Sequence, residues 1–278
     1  MKLAICNETF QESSGGTTTH WPWERICPFV AGTGYDAIEI APFTLAHSVA
    51  DVPPQRRAEI RRVAEDAGLE IAGLHWLLVS PQGLYINHPD AAVRAKTRDY
   101  LRHLVDFCGD VGGHVMVLGS PKQRSVFEGL TYQQAWDLAK ETISGVLDLA
   151  AQRGVTLCLE PLTPAETDFW TTAAEVRKFA AELDHPNCRI ILDVKAMSSE
   201  AQPPADIIRR SKGWVAHVHA NDANMRGPGF GDTDFAPVSA ALREIGYDGC
   251  VSVEVFDYSP DPETIARDSL RYLKQHFD

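Results

Sequence analysis

Between residues 156 and 256 the chain runs TLCLEP (156–161), RIILDV (189–194), VAHVHAND (215–222) and CVSVEVF (250–256), four short apolar runs separated by longer stretches. Each carries an acid or an imidazole at or near its C-terminal end: Glu160, Asp193, His219 and Glu254. Runs of this length, rich in Val, Ile and Leu, suit strands buried on both faces. A charged side chain is costly to bury unless it is paired or holds a metal. Taken singly, each of the four is better explained by a neighbouring partner. Four in register on successive strands point to one divalent-metal site.

Working outward, four more apolar runs precede these, at 3–8, 37–42, 70–76 and 115–120, which makes eight. The stretches between them carry helical periodicity. Val93, Thr97, Leu101, Leu104, Cys108 and Val111 recur at steps of three and four within 90–112, and Ala135, Ala139, Ile143, Val146 and Ala150 do so within 132–153. Thr131 with Gln134 and Thr172 with Glu175 form capping-box patterns at helix starts. Gly68, Gly154 and Gly246 fit helix C-termini, and Pro53, Pro54, Pro89 and Pro262 fit first turns. Eight strand–helix units predict an α/β chain, a (β/α)8 TIM barrel formed as one domain over 1–278. An open doubly wound sheet is the rival; the count of eight and the lack of a composition break favour the barrel. The longest irregular pieces, 9–21, 43–52, 77–89, 121–130, 162–170 and 223–234, all follow strand ends. In such barrels those loops build the active site.

Composition narrows the function. A hydrophobic content of 44% supports a sizeable core, and a net charge of -12 argues against a nucleic-acid partner. The six cysteines form no Cys-x-x-Cys pair and read as reduced core residues. No signal peptide precedes LAICNE, and no apolar run approaches the ~20 residues of a membrane span. The expectation is a cytoplasmic protein acting on a small molecule. Three carboxylates and one imidazole form a mostly oxygen donor set, which suits Mn²⁺ first, with Mg²⁺ or Co²⁺ as alternatives.

The motifs LEP around Glu160, LDV around Asp193, HVHAND around His219 and VEVF around Glu254, in this order and spacing, resemble the xylose-isomerase-like sugar isomerase/epimerase superfamily, in particular its ketose 3-epimerase branch. The resemblance covers the whole length. It implies that these four residues bind one divalent metal, that a carbohydrate chelates it through a carbonyl and an adjacent hydroxyl, and that Glu160 and Glu254 exchange a proton with the carbon next to the carbonyl. It also implies a substrate-binding role for Glu166, six residues after Glu160, and a homo-oligomer, dimer or tetramer. The chemistry is coherent: a metal that polarises the carbonyl stabilises the enediolate formed when the proton leaves. Two flanking carboxylates give epimerisation, and one carboxylate shuttling the proton between carbons gives isomerisation. The sequence does not separate these outcomes.

His217, two residues from His219, shares its face; a further metal ligand is one reading, and a residue that supports the site or touches substrate is the favoured one. His75 and Trp76 end the third run, where a histidine over a sugar ring and a satisfied core histidine are equally good readings. Lys122 and Arg124 in GSPKQR can hold a phosphate or carboxylate, or be solvated loop charges. Two departures stand out. Where the family often has a histidine three residues after the Asp there is Ala196. Where it often has an arginine six residues after the His there is Met225, with Arg226 next to it as the substrate-contacting candidate. RGPGFGD (226–232) lacks dinucleotide spacing and reads as a rim loop that Asp222 and Asp232 support, unless they approach the metal.

Other functions make different demands on the same residues. A dehydratase or lyase of a keto-sugar uses the same metal and glutamates. An abasic-DNA endonuclease shares the superfamily fold but needs histidines that Ala196 and Asp232-Thr-Asp234 do not provide. A Schiff-base lyase would use Lys195 with a lowered pKa. A sugar-binding module would be signalled by a missing metal ligand, and none is missing.

Overall fold

The computed structural model describes residues 1–14 and 16–277. Strand β1 (Lys2–Cys6) leads into a hairpin, β2 (Gln11–Ser14) and β3 (Thr17–His20). Then follow β4 (Ala37–Ile40), β5 (Glu70–Leu74), β6 (Val115–Leu118), β7 (Thr156–Leu159), β8 (Cys188–Asp193), β9 (Val215–Ala220) and β10 (Cys250–Val253). Leaving the hairpin aside, the other eight strands close into a barrel in chain order, with β10 returning to β1 and every neighbouring pair parallel. The connections carry α1 (Trp23–Thr33), α2 (Pro54–Ala67), α3 (Ala91–Val111), α4 (Tyr132–Gln152), α5 (Ala173–Leu183), α6 (Val194–Ser198), α7 (Pro204–Arg210) and α8 (Ala236–Ile245), and α9 (Pro262–Phe277) closes the chain. The expected TIM barrel is the observed fold.

All eight apolar runs became strands, each ending one to three residues before its run does. At the barrel mouth the backbone leaves the ladder while its side chains stay buried, and hydropathy reads only the burial. Part of 9–21, expected as loop, is the β2–β3 hairpin; Gly15 in it lies outside the described residues, as does Asp278. Both capping boxes form, at Thr131–Gln134 and Thr172–Glu175. Gly68 and Gly246 cap α2 and α8 in the left-handed conformation, which costs glycine little. Gly154 follows the cap residue Arg153, and Pro89 stands just outside α3, which Asp90 caps.

Strand alternation decides what lies inside. Leu3 and Ile5 belong to the large core under the helices, whereas Ala4, Ala37 and Ala72 form a small separate cluster on the opposite face. Val117, Cys158 and Ile191 form a second such cluster. These apolar layers plug the barrel below its mouth. The next inward positions of β7 to β10 are the polar ones.

Candidate metal centre and active site

The same alternation carries the inward face from Cys158 to Glu160, from Ile191 to Asp193, from His217 to His219 and from Ser252 to Glu254. Asp193 and Ser252 both lie opposite His219 across their ladders. Glu160 and Glu254 stand one residue beyond β7 and β10, where the chain has left the ladder. The four predicted ligands are therefore brought together: all are buried, and each offers a ligand atom within 4.8 Å of the others. His219 Nδ1 lies 3.0 Å from Glu254 Oε2 and 3.5 Å from Glu160 Oε1. Asp193 accepts the Ala196 amide at 2.6 Å and the Asn221 side-chain amide at 2.5 Å, which fixes its plane.

This donor set fits a divalent cation. Burial pushes Asp193 up to about 7, with Glu160 and Glu254 adding to the rise while Lys195 and His219 oppose it. Burial raises Glu254 as well, but His219 and His75 outweigh it and hold its carboxyl below the usual range. Packed carboxylates of this kind need a positive charge among them. The buried His219 Nδ1 makes no hydrogen bond of good geometry, while Nε2 faces Glu39 Oε1 at 3.3 Å. Without an ion the surrounding carboxylates favour a protonated His219; with one bound, an Nε2–H donated to Glu39 would leave Nδ1 free to ligate it, the arrangement by which outer carboxylates orient metal-binding histidines. Gly119 makes the room: a Cβ there would stand 1.5 Å from Glu160 Oε2.

Glu39 and Glu8 were not singled out from the sequence, and both belong here. Glu39, on β4, is fully buried; its Oε2 takes His217 Nε2 at 2.8 Å and its Oε1 faces His219. Burial would raise it, yet His217 and His219 draw its pKa well below the carboxylate value. Glu8, in the turn after β1, holds His75 Nε2 at 2.8 Å, and His75 Nδ1 lies 3.2 Å from Glu254 Oε1. Glu8, His75, Glu254, His219, Glu39 and His217 thus form an unbroken line of alternating carboxylates and imidazoles across the barrel. The signal was present: Glu39 is the one charged residue of AIEIA, and Glu8 closes ICNE.

The other predicted residues divide. His75, Glu160, Glu166 and Glu254 line one cavity of about 80 Å³ with Trp76 and Gly119. Trp76 has φ 53°, a left-handed backbone unusual for a bulky residue, and its buried Nε1 has no protein partner. Glu166 is held at both oxygens, Oε2 by Thr163 (2.8 Å from Oγ1) and Oε1 by Lys195 (2.8 Å). Burial lowers the Lys195 ammonium, but Asp193 and Glu166 outweigh it and raise the pKa, the opposite of what a Schiff-base lysine requires. His217 is buried behind Glu39. Lys122 is exposed and outside the cavity lining. Arg124 is buried and gives Nη1 to the Glu160 carbonyl at 2.5 Å, which ties the ends of β6 and β7, while its Nε and Nη2 have no protein partner. Arg226 bonds the Ser259 carbonyl, lies near Asp257 and stacks on Phe230, away from the cavity. Asp222 supports the rim loop through the Thr233 amide.

Comparison with known proteins places this geometry. The model of the xylose isomerase-like TIM barrel family matches residues 27–276. A D-psicose 3-epimerase of Agrobacterium fabrum is 29% identical over 86% of this chain and 83% of its own. A 3-dehydro-D-guloside 4-epimerase of Escherichia coli is 27% identical over 63% of this chain and 69% of its own. Among solved structures, the D-psicose 3-epimerase of Clostridium cellulolyticum H10 with D-tagatose superposes with a TM-score of 0.87 at 21% identity over the full length of both chains. The chain belongs to the xylose isomerase-like TIM barrel family.

Proposed function

We propose that this family member is a divalent-metal-dependent sugar epimerase or isomerase, acting on a ketose or keto-sugar by moving a proton at the carbon next to the carbonyl. One observation carries the reading: Glu160 and Glu254, both reaching His219 Nδ1 (3.5 and 3.0 Å), also line the same cavity. The relatives named as ketose and keto-glycoside epimerases support it.

Glu160, Asp193, His219 and Glu254 would hold the ion. With three carboxylates and one imidazole, Mn²⁺ is the proposed metal, and Mg²⁺ and Co²⁺ suit the same donors. When bound, a divalent ion polarises a carbonyl and makes the adjacent C–H more acidic. The remaining work falls to side chains. One of Glu160 and Glu254 takes the proton from one face of the carbon; the other returns a proton to the opposite face. Asn221 and the Ala196 amide keep Asp193 from turning. His75, anchored by Glu8, holds Glu254 from behind. Glu166 and the Trp76 indole N–H offer an acceptor and a donor to substrate hydroxyls. In this reading residues 1–278 form one barrel domain, and the protein works in the cytoplasm as a dimer or tetramer. Among the described residues no helix is long and apolar enough to cross a membrane.

The test is deuterium exchange. The protein is assayed for bound Mn, Mg, Co and Zn, then incubated in deuterated water with ketoses, keto-sugars and their phosphates, with and without EDTA. Deuterium entering next to the carbonyl, and lost with EDTA, is the expected result. Loss of water from a keto-sugar would instead identify a dehydratase on the same site. Absence of bound metal and of any response to added metal would overturn the reading.

A further inference from the structure

The cavity at the metal residues, about 80 Å³, is small beside the roughly 300–1,000 Å³ of ordinary ligand sites. A second cavity of about 330 Å³ adjoins it, and Glu166 and Phe256 are walls of both. Lys195 completes the partition, with its Nζ 2.8 Å from Glu166 Oε1 and 4.0 Å from the centre of the Phe256 ring. Beyond it the walls are mainly apolar: Ala165, Ala223, Met225 and the far face of Phe256, with Ser198 and Ser199 on one side.

Met225 is the informative residue. It is 52% exposed, more than any other large hydrophobic side chain among the described residues. Its backbone has φ 69°, a conformation that costs a methionine energy, and its carbonyl accepts the amides of both Phe256 and Asp257 at 2.9 Å. The loop therefore holds an adaptable apolar side chain open to solvent at the lip of the chamber. The partition itself is neutral, since the lysine is already matched by Glu166. An anionic group gains little there, whereas an apolar one covers Met225 and Phe256.

We propose that the substrate is a sugar bearing an apolar substituent, such as a keto-glycoside with an aryl or alkyl aglycone, whose sugar ring lies at the metal residues and whose substituent crosses the Glu166–Lys195 pair into this second chamber. This rests on the epimerase reading for the position of the sugar ring. The test measures binding and turnover separately. Calorimetry compares methyl 3-dehydro-β-D-glucopyranoside with its 4-nitrophenyl counterpart on the whole protein with Mn²⁺ added, wild type and Ala223→Trp, which fills the chamber; Met225→Ser serves as a second variant, and circular dichroism confirms folding of both. The expected result is tighter binding of the aryl glycoside by about tenfold or more, a difference that shrinks to about threefold or less in the variants. Equal affinities in the wild type, or a preference that survives both substitutions, overturn the proposal. Deuterium exchange on free ketoses runs alongside. Exchange without an aryl preference removes the chamber alone; an aryl preference without exchange on any sugar keeps the chamber and removes the epimerase reading.

Discussion

The two halves of the barrel treat buried charge differently. In the second half, β7 to β10 each place one polar side chain at the mouth, and the four converge on a point that suits a cation. In the first half, Glu8, Glu39 and His75 are just as deeply buried, yet each is paired with a side chain of the protein, Glu8 through Oε2 alone. The difference separates residues that would hold an ion from residues that hold those residues. It also predicts different consequences of substitution, larger in the second half and graded in the first.

The sharpest break comes from Glu254→Gln or Glu160→Gln. Each removes a proton carrier, so turnover should fall by about 10²–10⁴-fold, read from steady-state rates at saturating metal. If either variant keeps wild-type turnover, that carboxylate is not a proton carrier. Gly119→Ala should come close to the same loss although it changes no ionisable group, because its Cβ would occupy the position of Glu160 Oε2. Metal titration of this variant should show a weakened site; an intact one would mean that Glu160 has another rotamer to work from. In the first half, Glu39→Gln should leave the fold intact but weaken metal affinity by about 10–100-fold, measured by competition with a chelator. An unchanged affinity would demote Glu39 to a packing residue. The smallest effect is expected outside both groups. Thr172→Ala removes the cap of α5 and should cost about 1 kcal/mol in urea denaturation, with metal affinity unaltered.

That contrast also explains what the sequence disclosed. Glu160, Asp193, His219 and Glu254 were legible because each interrupts an apolar strand at the same relative place, and the repetition does the persuading. The barrel was legible for a related reason: strands buried on both faces leave continuous apolar runs, and the helices between them keep one apolar face. Glu39 carries the same local mark in AIEIA, but its pairing with His217 and His219 joins residues far apart in the chain, and no spacing encodes that. Glu8 lies in a turn, where an acid is ordinary. Arg124 could not be placed from sequence, because a lysine–arginine loop after a strand suits an anion site and a solvated loop alike; only the closed barrel shows its guanidinium turned back onto strand carbonyls. Lys122 and Arg226 were placed near the site by sequence proximity; the loop of Lys122 leaves it exposed, and Arg226 is drawn to the Ser259 carbonyl and the Phe230 ring.

The line of acids and imidazoles running from Glu8 to His217 has a further consequence, for the divisibility of the molecule. Eight similar strand–helix units invite the thought that half a barrel could stand alone or be exchanged with that of a cousin. A fragment ending after β6 would retain Glu8, Glu39 and His75 but leave Glu254, His217 and His219 behind. In a reassembled barrel whose second half lacked the two imidazoles, Glu39 would be an unpaired buried carboxylate, a loss of about 3–5 kcal/mol where such pairs have been broken. Chimeras cut at that seam should assemble only when both pieces come from parents that agree on the same six positions, so the unit of inheritance here is the whole ring.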